Sequence, residues 1–268
     1  MNEGEATEPA LKRQPHRYVF VAGLHRTGTS LTARIVGSHP AIATIEDADV
    51  PENEGCYLQG AIPHIARHGM PGHYATDPAQ HLTEASAFNT LAVKERLERE
   101  WGAWFDPARP WRLEKSPVNL TRMRLLQALF PRAQFIVVTR HPLFMAEALR
   151  KWSDRPVAEL AAYGVAAYRT MLADLDHLHA AMVVRYEDLV GAGRVHARAF
   201  EAFLNLDPGM EVPQLRAGNE DYDPARATGN DAGVVARLGY RANGAVEAFD
   251  PVIRHPLREW RNAVRQHL

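Results

Sequence analysis

Tyr18–Pro40 reads YVFVAGLHRTGTSLTARIVGSHP, and this stretch decides the fold. Tyr18 to Ala22 are rich in β-branched and aromatic side chains, the pattern of a buried parallel strand. From Thr29 to Ser38 the apolar residues Leu31, Ile35 and Val36 recur at helical spacing. Between strand and helix lies Gly23-Leu24-His25-Arg26-Thr27-Gly28. Its two glycines can take backbone angles closed to other residues, so several amides can turn toward one anion. The helix behind adds unsatisfied N–H groups and the positive end of its dipole. A phosphate-like group is the expected occupant.

The spacing nearly matches the P-loop of nucleotide triphosphatases, G-x-x-x-x-G-K-[ST], with Gly23, Gly28 and Ser30 in place. The lysine position, however, is Thr29, and the nearest cation is Arg26, two residues before the second glycine. A kinase without that lysine loses its main grip on the β and γ phosphates, which disfavours triphosphate chemistry. Arg26-Thr27-Gly28-Thr29-Ser30-Leu31 instead resembles the phosphosulfate-binding loop of sulfotransferases that use 3′-phosphoadenosine 5′-phosphosulfate (PAPS). With His-Pro following at 39–40, it looks most like the protein-tyrosine sulfotransferase and bacterial branch. The resemblance implies that all six loop residues hold the donor and that Arg26 also acts in catalysis.

The whole chain agrees with an ordinary α/β protein. Its 268 residues are 46% hydrophobic and 24% charged, enough for a single domain with a sizeable core. A net charge of −1 gives no electrostatic support for nucleic-acid binding. No apolar run approaches the roughly 20 residues of a membrane span, and the polar opening lacks the apolar centre of a signal peptide. Residues 1–15 read as a mobile tail before one domain over 16–268, and the default location is cytoplasmic. Cys56 is the single cysteine, and the 13 histidines form no zinc pair on a clear helix, so no metal is expected.

Ala41–Ile45 reads as a second strand that delivers Glu46, Asp47 and Asp49 to its carboxyl end, the edge where parallel sheets bind ligands. A carboxylate there can take a proton from an attacking hydroxyl; the bland alternative is three solvated loop acids. Gapless alignment with the tyrosine sulfotransferases places Asp47 at their catalytic glutamate, with Glu46 one residue earlier. His64 and His68, in the loop-rich stretch Pro51–Asp77, are reserve bases. Pro78–Trp104 has helical character.

Trp111–Trp152 parses as a strand to Glu114, a loop with Lys115-Ser116-Pro117, a helix to about Leu129, a strand Gln134–Thr139 and a helix after Pro142. Lys115 and Arg140 therefore sit just past strand ends, on the edge of the anion loop. Lys-Ser-Pro before a helix, then Phe-Pro, then a strand ending in Arg-x-Pro, is again similar to the PAPS-dependent family. This implies that Lys115 meets the bridging oxygen of the phosphosulfate and Arg140 the 3′-phosphate. The family's serine eight residues after that arginine is replaced by Ala148, with Arg150 or Lys151 as substitutes. Val184-Arg185-Tyr186-Glu187-Asp188-Leu189 resembles a late family segment, which puts Tyr186 near the adenosine. Arg226, Thr228 and Asn230 are candidates for a loop closing over the nucleotide.

The expected fold is thus one α/β domain, a central parallel sheet flanked by helices. The expected reaction moves a sulfuryl group from PAPS to a hydroxyl of a small-molecule, lipid or glycan acceptor. A P-loop small-molecule kinase and a non-catalytic nucleotide-binding module are the rival readings. Oligomeric state stays open, a homodimer included.

Overall fold

The computed structural model describes residues 16–64, 71–222, 236–242 and 244–268. The proposed tail, His68, and Arg226, Thr228 and Asn230 lie outside them.

The five strands read from the sequence and one further short strand form a six-stranded sheet. These are β1 (Arg17–Gly23), β2 (Ile42–Thr44), β3 (Trp111–Lys115), β4 (Gln134–Thr139), β5 (Ala181–Arg185) and β6 (Ile253–Arg254), in the order β2-β3-β1-β4-β5-β6. The first five run parallel. The expected parallel sheet is extended by β6, which pairs antiparallel with β5, so the sheet as a whole is mixed. This two-residue edge strand is too short for any side-chain period to announce it.

Helices cover both faces, which is why β1, β4 and β5 are apolar at almost every position. On one face Tyr18, Phe20, Phe130 and Phe135 pack ring to ring, with α5 (Val157–Asp174) contributing Tyr163, Tyr168 and Met171. On the other, Val19, Val21, Ile136, Val138 and Met182 meet α1 (Thr29–Gly37) and α7 (Gly193–Leu204) through Ile35, Phe200 and Phe203. The helix expected over Pro78–Trp104 is shorter. It is α2, Leu91–Gly102, and it begins where the Thr90 side chain accepts a hydrogen bond from the Val93 amide, satisfying a first-turn donor.

Register puts the chemistry on one edge. Val21 lies beside Lys115, Gly23 beside Val138 and Thr139 beside Arg185. The anion loop, Lys115 and Arg140 therefore leave the sheet together at its carboxyl end.

Candidate active site

The loop after β1 is built around its glycines. A Cβ at Gly23 would lie 2.6 Å from the Val138 carbonyl oxygen and 2.7 Å from Thr27 Oγ1, so no side chain fits there. Gly28 is left-handed, at φ 99°, directly before α1. Thr27 is buried beneath the turn, and its amide and hydroxyl both donate to the Leu24 carbonyl, at 3.3 and 2.8 Å. Helical geometry leaves the amides of Thr29, Ser30 and Leu31 without intrahelical acceptors. The Leu31 side chain is partly buried against the apolar cluster of Ile35, Phe200 and Phe203.

Arg26, Gly28, Thr29, Ser30, Arg140 and Tyr186 line one hollow of ≈ 250 Å³. Its other walls include His25, Glu52, Glu54 and Trp152. The Arg26 guanidinium lies 5.1 Å from the centre of the Trp152 ring. Arg140 stacks on Tyr186 at 4.6 Å and donates to the carbonyls of Arg26 and Gly218 and to Asn219 Oδ1, at 2.8–3.0 Å. The Tyr186 hydroxyl donates to Arg216 O and accepts from Gly218 N. Residues 216–219 thus close over the two groups expected to meet the nucleoside end. Glu187 braces them by accepting from the His141 amide, from Asn219 and from Tyr240. Ala148 is buried, and Arg150 pairs with Glu147 at the surface.

Lys115, 5% exposed, ends β3 with its Nζ 3.1 Å from Glu54 Oε1. The sequence reading passed over Glu54. It lies between two short 3-10 turns, Pro51–Asn53 and Gly55–Tyr57, in a stretch with no hydrophobic period. The one sequence signal was the glycine after it, since an isolated glycine marks a close approach. Burial outweighs Lys115 and pushes the Glu54 carboxyl up to about 7; the neighbouring acids Glu114 and Glu52 add to the rise. Burial, reinforced by Lys115, holds His25 down to about 4, and His25 Nδ1 has no hydrogen-bond partner.

The acids at the end of β2 are placed differently. Asp47 is exposed, adopts a left-handed φ of 53°, and does not line the hollow. Glu46 is also exposed and accepts from Thr44 Oγ1 at 2.6 Å. It lines an adjoining groove of ≈ 490 Å³, which Lys115, Ser30 and Glu52 share. His64 is turned away to the Cys56 carbonyl, 3.0 Å from its Nε2. Burial pushes the Cys56 thiol up, away from nucleophile chemistry. Among the described residues no group of His, Cys, Asp and Glu is arranged to hold a metal, and no helix is long and apolar enough to cross a membrane.

Residues 18–209 match the model of the family described as Sulfotransferase family. Among solved structures, the chain is similar to a sulfotransferase from Alicyclobacillus acidocaldarius, at 17% identity over 91% of this chain and 98% of that one, with a TM-score of 0.49. It is also similar to the sulfotransferase domain of the Synechococcus olefin synthase (19% identity, 76% and 78% covered, TM-score 0.47). A third is sulfotransferase STF1 from Mycobacterium tuberculosis (15%, 78% and 71%, TM-score 0.46). No curated protein sequence matches.

Proposed function

Since this chain belongs to the sulfotransferase family, we propose that it moves a sulfuryl group from PAPS to a hydroxyl of a small-molecule, lipid or glycan acceptor met in the cytoplasm. The observation that carries this reading is the convergence of Arg26, Arg140 and the first turn of α1 on one hollow, with Lys115 ion-paired to Glu54 of its wall. PAPS is a long polyanionic ligand with phosphate at both ends of its ribose, and two separated cations with an amide cradle between suit it. The residues present fit such a donor: the Gly28 backbone leaves the cradle open, first-turn amides await acceptors, and His25 Nδ1 is unpartnered.

Arg26, Thr27, Gly28, Thr29, Ser30 and Leu31 would hold the phosphosulfate through side chains and amides. Arg140 would take the 3′-phosphate, and Tyr186 would flank the adenosine. PAPS supplies an activated sulfuryl group, and the acceptor oxygen displaces the bisphosphate from it. Charge grows on the leaving phosphate during that displacement. Arg26 and Lys115 would stabilise it, the electrostatic role that contributes most in transfers of this kind. Protein cations then do what magnesium does in kinases.

The rival kinase reading needs a lysine where Thr29 stands. Calorimetry decides: adenosine 3′,5′-bisphosphate should bind without metal, and ATP with magnesium should bind far more weakly. Tight magnesium-ATP binding with no response to the bisphosphate would overturn the reading. A screen of hydroxylated acceptors with PAPS, read by a mass gain of one sulfuryl group, then separates an enzyme from a nucleotide-binding module.

A further inference from the structure

Glu54 is the buried carboxylate nearest to Lys115, and its position is held with unusual care for a loop residue. The next peptide is pinned on both sides. The Gly55 carbonyl accepts from Trp101 Nε1 at 2.8 Å, and its amide donates to the buried Glu114 carboxylate. The Cys56 amide donates to Ser116 Oγ at 3.0 Å, and that hydroxyl donates on to Glu114 Oε1 at 2.5 Å. Asn119 Nδ2 donates to the second Glu114 oxygen at 2.5 Å. A satisfied buried network of this sort fixes geometry.

Stability alone does not explain the pair it presents. A buried ion pair is often replaced by apolar side chains at no loss, because desolvation offsets the attraction. Here the pair also stands where two hollows meet: Glu54 lines the one with the anion loop, and Lys115 lines the adjoining groove. An acceptor in the groove and a donor on the loop would meet at this wall. The charged groups around Glu54 are Lys115 and Glu114 from β3 and Glu52 from its own loop, with Cys56 Sγ at 4.0 Å.

We propose that Glu54 is the general base of the transfer, and that Lys115 exchanges partners, leaving Glu54 for the phosphosulfate when the donor binds. The proposal rests on the sulfuryl-transfer reading above. Before the donor arrives, Lys115 offsets part of the burial that favours the protonated carboxyl. As Lys115 turns to the oxygen bridging phosphorus and sulfur, Glu54 is left buried without its cation, a stronger base. The acceptor O–H bond then breaks, with its proton going to Glu54 and its oxygen electron pair forming the new O–S bond. The bond from sulfur to the bridging oxygen breaks, and adenosine 3′,5′-bisphosphate leaves with that electron pair. Glu54 returns the proton to solvent when Lys115 comes back.

The test uses the full chain, with Glu54→Gln as an isosteric variant, adenosine 3′,5′-bisphosphate as the calorimetric probe, and PAPS with a panel of phenols, alcohols and sugars for turnover. E54Q is expected to bind the bisphosphate at least as tightly as the wild type, because Lys115 is freed. Its transfer rate is expected to fall at least 100-fold, and the acid limb of kcat/KM, near pH 7 in the wild type, should vanish. Turnover within threefold of wild type overturns the proposal. So does a tenfold loss of bisphosphate affinity in E54Q, which would mark a merely structural role. Loss of turnover in E46Q or D47N, with E54Q active, moves the base to the end of β2. A wild type that ignores the bisphosphate sinks the donor reading itself, a result distinct from these.

Discussion

Gly55 lies flush against Glu114: a methyl group on its α-carbon would come 2.7 Å from Glu114 Cγ and 2.8 Å from Oε1. Gly55→Ala must therefore move either the loop or the buried acid. The acid is tied to Ser116 and Asn119, so the loop yields and Glu54 moves with it. G55A is predicted to lose at least tenfold in transfer rate while the sheet and both cores persist. Turnover and far-ultraviolet circular dichroism measured together check this; full activity in G55A would show that the loop tolerates displacement.

Glu114 itself is a stability residue. It is fully buried, and its oxygens face donors from Ser116, Asn119 and the Gly55 amide. Glu114→Gln keeps the shape but turns an N–H group toward one of those donors. The cost is predicted at about 1–3 kcal/mol, the usual penalty for a buried polar group left unsatisfied. Denaturant unfolding reads it directly, and a loss below about 0.5 kcal/mol would contradict the network.

Lys115→Met separates binding from chemistry. If Lys115 acts mainly as charge develops on the leaving phosphate, its loss lowers turnover much more than nucleotide affinity. The predicted outcome is at least a 100-fold fall in kcat with less than a tenfold change in bisphosphate affinity. Equal losses in both would assign Lys115 to ground-state binding.

Much of this arrangement was legible in the chain, for a local reason. β1, β4 and β5 are covered on both faces, so each is a continuous apolar run, and Gly23, Lys115 and Arg140 mark where those runs stop. Glu54 was not legible. Its burial depends on Lys115, 61 positions away, and on Trp101, 46 positions from Gly55; neither contact leaves a local period. Gapless alignment carried attention to Asp47 instead, seven residues before the Glu54 that lines the pocket. β6 was invisible because two residues, Ile253 and Arg254, cannot show a strand pattern.

Arg140→Ala probes the nucleoside end. The guanidinium is already held by Gly218, Asn219 and the Arg26 carbonyl, so it stands in place before any ligand binds. Its loss should weaken adenosine 3′,5′-bisphosphate by about 30-fold, corresponding to ~2 kcal/mol for a charge-assisted contact. Adenosine 5′-phosphate, which lacks the 3′ group, should change less than threefold. Calorimetry with the two nucleotides checks the selectivity, and equal weakening of both would remove Arg140 from the 3′-phosphate.

The pH dependence of folding sets His25 against Glu54. His25 titrates near 4 in the folded protein and 6.5 when unfolded, so between those values the unfolded chain holds a proton that the fold refuses. Its contribution is fully present above pH 6.5 and is lost as pH falls toward 4. His141, His179, His196 and His255 are depressed by burial too and act in the same direction. Glu54 works the other way: its raised carboxyl takes a proton in the fold before it does in the unfolded chain, so stability rises as pH falls from about 7 toward 4.5. The wild-type profile between pH 7 and 4.5 is thus a difference of opposed contributions. His25→Gln should flatten the acid-side loss, whereas Glu54→Gln should steepen it. Denaturant midpoints for the three proteins across that range provide the check. Parallel curves would mean that neither group titrates as its surroundings require.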